Sequence, residues 1–284
     1  RVSEMAGVRT PAVAGQFYAG TATELRDQIE RSFAHEIGPG PLSAREQRTS
    51  LPAGLVSPHA GYPYSGPVAA HGFARLHAGG RPDAVVIVGP NHAGRGDPLA
   101  ISAAEEWETP LGRVPVAEDL RSELAASDGI TVDEATHAAE HALEVQVPFL
   151  QYLYADQVPI LPIVMTRQDR DHVEILSRAL AALRADHEDV VVIASTDLTH
   201  YEPASRARER DRPIREAITA LDGEAILDAA GAGHTMCGAG PTAAMLETAV
   251  ATGASRGDVL QYATSGDTAG GSDSVVGYVA ASVE

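Results

Sequence analysis

Four apolar runs punctuate the chain: residues 53–57 (AGLVS), 83–89 (DAVVIVG), 158–164 (VPILPIV) and 190–195 (VVVIAS). None alternates apolar with polar positions. Such near-continuous hydrophobicity predicts strands covered on both faces, as in a parallel or mixed sheet under helices. Apolar positions at helical period predict helices over residues 21–34, 66–77, 117–126, 138–153, 171–185, 204–221 and 240–251. A last run, residues 274–281 (SVVGYVAA), predicts the strand that closes the sheet. Strand–helix alternation continues along the chain with no internal repeat and no linker-like stretch. It predicts a single α/β domain with a mixed or mostly parallel central sheet flanked by helices. The first twenty residues, ending in RTPAVAGQFYAG, carry Pro, Gly and aromatics without periodicity, which predicts a segment wrapping the surface.

Composition narrows the function. The chain has 284 residues, with 39 acids against 21 bases and a formal charge of -18. That balance repels phosphate backbones and anionic bilayers, so neither nucleic acid nor membrane is expected as a main partner. Every base is arginine, and lysine is absent. An acidic, lysine-free surface fits high salt, where repulsion is screened within ~3 Å at 1 M; a GC-rich genome accounts for it equally well. Without lysine there is no P-loop, and without G-x-S-x-G there is no nucleophile elbow, so nucleotide and serine hydrolysis are poor readings. One cysteine, Cys237, excludes an intrachain disulfide framework and fits a reducing compartment. No apolar run approaches the ~20 residues of a membrane helix, and no signal-peptide pattern opens the sequence, so a cytoplasmic location is expected.

Three histidines follow predicted strands at similar distances: His59 in SPHAGYPYSG, His92 in GPNHAG and His200 in STDLTHY. Loops leaving adjacent strands converge at the carboxyl edge of an open α/β sheet, where ligands bind. One histidine after a strand is usually a cap or a surface residue, but three in one topological position, beside Gly, Pro or Asp, point to a metal site. Cys237, in HTMCGAGP ahead of a predicted helix, is the candidate third ligand; the helix N-terminus there favours its thiolate. Two imidazoles and a thiolate leave a fourth position open, as catalytic sites do. In EHALEVQVPF a helix would put Glu140 and Glu144 on one face with His141 beside them. The glutamates fit a solvated acidic face; Glu140 and His141 are expected to brace the ligands from behind. Asp197 is placed to orient the His200 ring or to cap the next turn, and Tyr62 and Tyr64 to line the pocket. His35, His71, His77, His137, His172 and His187 read mostly as solvent-facing residues.

The blocks PHAGYPYSG, GPNH, EHALEVQVPFLQ, STDLTHY, CGAGP and SVVGYVA, in this order, resemble the Memo family, also known as protein B of the AmmeMemoRadiSam system. The resemblance implies a fold akin to class III extradiol dioxygenases, in which two histidines and a carboxylate hold iron(II). On that basis His59 and His92 match the two metal-binding histidines, Cys237 takes the carboxylate's place, and His200 matches the catalytic histidine. A thiolate draws the site toward zinc, copper or iron. The resemblance also implies a functional link to a radical-SAM protein.

The leading expectation is a metal-binding protein with a non-haem iron(II), or copper, redox pocket of dioxygenase type acting on an unidentified small molecule or peptide. The alternatives are a non-catalytic scaffold whose pocket takes a phosphorylated or carboxylated ligand, with Arg95 and Arg167 as contributors, and a zinc hydrolase.

Overall fold

The computed structural model describes residues 7–42 and 50–284. In chain order the strands are β1 (Val8–Arg9), β2 (Gly54–Ser57), β3 (Ala84–Pro90), β4 (Leu99–Ile101), β5 (Glu106–Thr109), β6 (Gly112–Pro115), β7 (Thr131–Val132), β8 (Ile160–Met165), β9 (Val190–Ser195), β10 (His200–Glu202), β11 (Gly257–Thr264) and β12 (Val275–Val283). The helices are α1 (Ala22–Ala34), α2 (Tyr62–Gly79), α3 (Glu118–Ala125), α4 (Val147–Leu153), α5 (Arg170–Asp186), α6 (Ala204–Ala220), α7 (Gly223–Gly231), α8 (Ala239–Ala251) and α9 (Ser265–Ala269).

Every residue of β2, β3, β8 and β9 is buried, as their unbroken apolar pattern requires. They lie side by side in the order β2-β9-β3-β8, all parallel. The sheet turns antiparallel on both flanks, with β12 beside β2 and β4 beside β8. The carboxyl ends of four parallel strands therefore share one edge. This is the expected α/β architecture. The short strands β4–β7 and β10 were not foreseen, because segments of two to four residues are too brief to display a period.

Two expectations fail around one buried ion pair. The N-terminal segment does not wrap the surface. Its Arg9 is buried, stacks on the Trp107 ring at 4.1 Å and donates to the His137 carbonyl (2.9 Å), the Glu140 carbonyl (2.8 Å) and the Glu144 carboxylate (2.8 Å). Glu144 also accepts from Ala12 N–H, Val13 N–H and the Tyr18 hydroxyl. Nor is the stretch 138–153 one helix. Only Val147–Leu153 is α-helical, preceded by a 3-10 turn at Glu144–Gln146. The His137 and Glu140 carbonyls, which a helix would offer to residues 141 and 144, accept from Arg9. Glu140 and Glu144 are buried, so the solvated acidic face does not exist.

His137 is buried too, against its expected exposure. Its Nε2–H donates to the Ala100 carbonyl (3.1 Å), its Nδ1 has no partner, and burial lowers its pKa to about 3.

Two outcomes follow for stability. Glu144→Ala strands a buried guanidinium together with three other donors, and should cost about 3–5 kcal/mol in urea denaturation. The Arg9→Met/Glu144→Leu pair should cost less than the single change. Below pH 6.5 the unfolded chain takes up protons that the buried neutral His137 refuses. Stability should therefore fall as pH drops from 6.5 toward 3, by up to about 1.4 kcal/mol per pH unit for each such ring. His137→Gln should flatten the slope measured by denaturation at a series of pH values.

Candidate metal centre

The shared carboxyl edge gathers the site. His59 lies two residues beyond β2, His92 two beyond β3, Asp197 two beyond β9, and His200 opens β10. His141 arrives from the turn that Arg9 shapes. Donor atoms of His59, His92 and His141 all lie within 4.8 Å of one another. The ring centroids are 5.2 Å apart for His59–His92, 5.5 Å for His59–His141 and 4.6 Å for His92–His141.

The His59 and His92 rings are held from behind, which decides where their lone pairs point. The Ser195 hydroxyl donates to the Ala142 carbonyl (2.6 Å) and accepts from the Gln146 amide (2.9 Å). Facing His59 Nδ1 at 2.9 Å, it can only accept there, so His59 carries its proton on Nδ1 and its lone pair on Nε2. His92 Nδ1–H donates to Glu140 Oε1 (2.9 Å), and His92 N–H donates to Oε2. The same carboxylate accepts from Ala142 N–H and stands 3.4 Å from His141 Nδ1. Carboxylate or hydroxyl behind imidazole is the arrangement that fixes tautomer and orientation in metal-binding histidines.

The charges agree with this geometry. Burial, then the neighbouring His92, lowers the His59 pKa to about 3; burial and His59 lower that of His141 to about 4. Both rings are neutral and able to donate lone pairs near pH 7. Burial works against ionisation of Glu140, but the bonds from His92 and Ala142 win and hold it at about 2. His92 is raised: burial opposes its charge, and the Glu140 carboxylate overcomes that.

Cys237 stands at the edge of the cluster. Its Sγ is 3.0 Å from His59 Nε2 and accepts from Asp197 N–H (3.2 Å). Burial, reinforced by the Asp197 charge, pushes the thiol pKa well up, and the α8 N-terminus begins only beyond it, at Gly238. Without a cation the sulfur is a thiol donating to His59. Gly238 lets this loop press against the end of β9: a Cβ there would lie 2.4 Å from the Ser195 carbonyl oxygen.

His200 and Asp197 stand apart from the expected arrangement. Asp197 does not orient the His200 ring. Its carboxylate accepts from His59 N–H (2.8 Å), and burial raises its pKa to about 6 against that bond. The His200 ring is held instead by Thr235, whose carbonyl accepts from Nδ1–H at 3.0 Å, leaving Nε2 as the basic nitrogen. Tyr201 beside it is exposed and adopts the left-handed conformation (φ 59°), a strain of about 1 kcal/mol or more for a non-glycine residue. Tyr64 is exposed, whereas Tyr62 is buried and donates its hydroxyl to the Val145 carbonyl, a core role rather than a pocket-lining one. Phe17, from the N-terminal segment, packs on His141 at 4.5 Å.

This histidine cluster lies in a chain matched by the Memo-like protein family over residues 9–282. The chain belongs to the Memo-like family. A MEMO1 family protein of Methanopyrus kandleri is 44% identical over 275 residues, covering 96% of this chain and 97% of its own length. Another, from Methanothermobacter thermautotrophicus, is 43% identical over 274 residues, covering 95% and 98%. Among solved structures, an uncharacterized protein of Escherichia coli K12 shares the fold, with a TM-score of 0.51 and 18% identity over 79% of this chain and 98% of that one.

Sequence reasoning missed Arg9, Ser195, Gln146 and Thr235, which act through the functional rings. Ser195 had a signal: it ends the strand whose neighbour carries His59, in register with Ser57. Glu140→Ala should lower divalent-metal affinity about 10–100-fold, as measured by calorimetric titration of the folded protein with zinc.

Proposed function

We propose that this Memo-like protein holds a divalent transition metal on His59, His92 and His141, with the Cys237 sulfur within reach as a softer donor, and performs proton-coupled redox chemistry on a small molecule. The observation that carries the reading is the convergence of three imidazoles, two of them fixed from behind by a hydroxyl and a carboxylate and the third beside that same carboxylate. The donor chemistry fits such an ion: three neutral nitrogens and a polarisable sulfur suit iron(II), copper or zinc rather than magnesium or calcium. When bound, the metal supplies Lewis acidity and, if iron or copper, electron transfer.

The chain's own residues supply the rest. Ser195 and Glu140 keep the ring protons on the side away from the site. His200, with its proton on Nδ1, takes a substrate proton on Nε2 and returns it; such a group contributes typically 10²–10⁴-fold. The exposed Tyr201, edge-on to the His200 ring at 5.7 Å, offers an aromatic surface for a planar substrate.

A zinc hydrolase is the second reading, favoured by one observation: three imidazoles without a carboxylate ligand match hydrolytic zinc sites, and the carboxylates of Glu140 and Asp197 are committed behind His92 and to His59 N–H. Ligand capture without catalysis and the link to a radical-SAM protein are further proposals that the family resemblance supports, and cytoplasmic residence is one that the lone cysteine supports.

Metal content after anaerobic purification without an affinity tag tests the assignment. Near-stoichiometric iron or copper is expected, lost in His59→Ala, His92→Ala and His141→Ala; Cys237→Ala should weaken copper retention more than zinc retention. Near-stoichiometric zinc with ester hydrolysis and no redox turnover would favour the second reading. No metal in the wild type, even after anaerobic reconstitution, would overturn both.

A further inference from the structure

Behind His200 lies a buried polar cluster that the metal-facing residues do not use. Asp211, on α6, is fully buried. Its Oδ1 accepts from Thr199 N–H (3.0 Å), the Thr199 hydroxyl (2.6 Å) and His234 Nε2–H (3.0 Å). Its Oδ2 accepts from the Tyr262 hydroxyl (2.7 Å). Gly277 of β12 admits this carboxylate: a Cβ there would lie 2.0 Å from Oδ2. A carboxylate with four donors, packed against backbone where no other residue fits, has one position.

His234 transmits that position to a second segment. Its Nδ1 accepts from Met236 N–H (3.1 Å), so its proton resides on Nε2, which faces Asp211. The pair thereby ties two pieces of chain together: Thr199, the residue before His200, and the loop through Thr235 and Met236. That loop provides both restraints on His200. The Thr235 hydroxyl accepts from His200 N–H (3.0 Å), and the Thr235 carbonyl accepts from His200 Nδ1–H (3.0 Å). A carbonyl can only accept, so its placement selects the tautomer.

We propose that Asp211 and His234 are positioning residues for His200, acting through Thr199 and Thr235 to fix its ring in the Nδ1–H tautomer with Nε2 as the proton acceptor. The value of this arrangement rests on the reading of His200 as the acid/base group. The tautomer itself is measurable without substrate or metal, so the two ideas fail separately.

Long-range ¹H–¹⁵N correlation spectra of the full chain, labelled in histidine and assigned with His200→Gln, test the proposal. In the wild type His200 should be Nδ1–H. In His234→Ala, Thr235 loses its anchor and the His200 ring should revert to the Nε2–H form that predominates in exposed histidines, its two nitrogens exchanging their ¹⁵N positions. His234→Gln, whose side-chain carbonyl can accept from Met236 N–H and whose amide can donate to Asp211, should restore the wild-type pattern. Asp211→Asn, nearly isosteric, should give an intermediate mixture and provides the reading if His234→Ala does not melt cooperatively. A merely structural role would lower the melting temperature and leave the tautomer alone. Wild-type His200 in the Nε2–H form, or an unchanged tautomer in folded His234→Ala or Asp211→Asn, would overturn the proposal.

Discussion

A buried guanidinium shapes the segment that completes the candidate metal centre. Arg9 takes up the His137 and Glu140 carbonyls and, with Ala12 N–H, one oxygen of the Glu144 carboxylate, while the other oxygen collects Val13 N–H and the Tyr18 hydroxyl. Removing two charges from water is costly, and the return in raw stability from such pairs is often small. What the pair provides here is conformation. It keeps residues 137–143 out of the helix their sequence pattern predicts, and only the resulting turn can present Glu140 to His92 and carry the His141 ring to within reach of His59.

From that turn the remaining geometry follows by hydrogen-bond accounting. Imidazole has one donor and one acceptor when neutral, so whatever stands behind it determines what it offers in front. Ser195 can only accept from His59 because its own proton is committed to Ala142 and another of its acceptor sites to Gln146. Glu140 can only accept from His92 because it is held ionised. Thr235 offers His200 a carbonyl. Three strand-end histidines thus leave the sheet with their basic nitrogens fixed, although their rear partners differ in every case.

How much of this was legible in the sequence depends on the range of the cause. Four continuous apolar runs declare the buried parallel strands, because double-sided burial leaves no polar positions to hide them. His59, His92 and His200 were findable because each follows a strand and the carboxyl edge is one place. His141 appeared only as a brace, since its route to the cluster runs through Arg9, more than 120 residues away. Glu144 read as a surface acid for the same reason: a carboxylate's burial depends on donors contributed by another segment. Cys237 stands beside His59 as expected, but the helix N-terminus that was to favour its thiolate starts only at Gly238, and burial works the other way. The burial of a loop residue depends on the segments packed over it and is not written in its own neighbours.

The carboxylates also constrain the chemistry. An iron oxygenase of the two-histidine, one-carboxylate type needs an acidic ligand at the metal. Here both acids near the cluster are committed elsewhere, Glu140 to His92 and Asp197 to the His59 backbone. With only neutral imidazoles in contact, a dication would keep most of its charge, offset by the Cys237 sulfur if its proton leaves. The deprotonation that burial opposes would then be driven by the ion itself, since a coordinating thiol gives up its proton. Ion and thiolate would therefore be coupled, the sulfur giving up its proton as the ion binds. The thiolate would then cancel one of the ion's two charges, which lowers the cost of holding the ion in a low-dielectric interior.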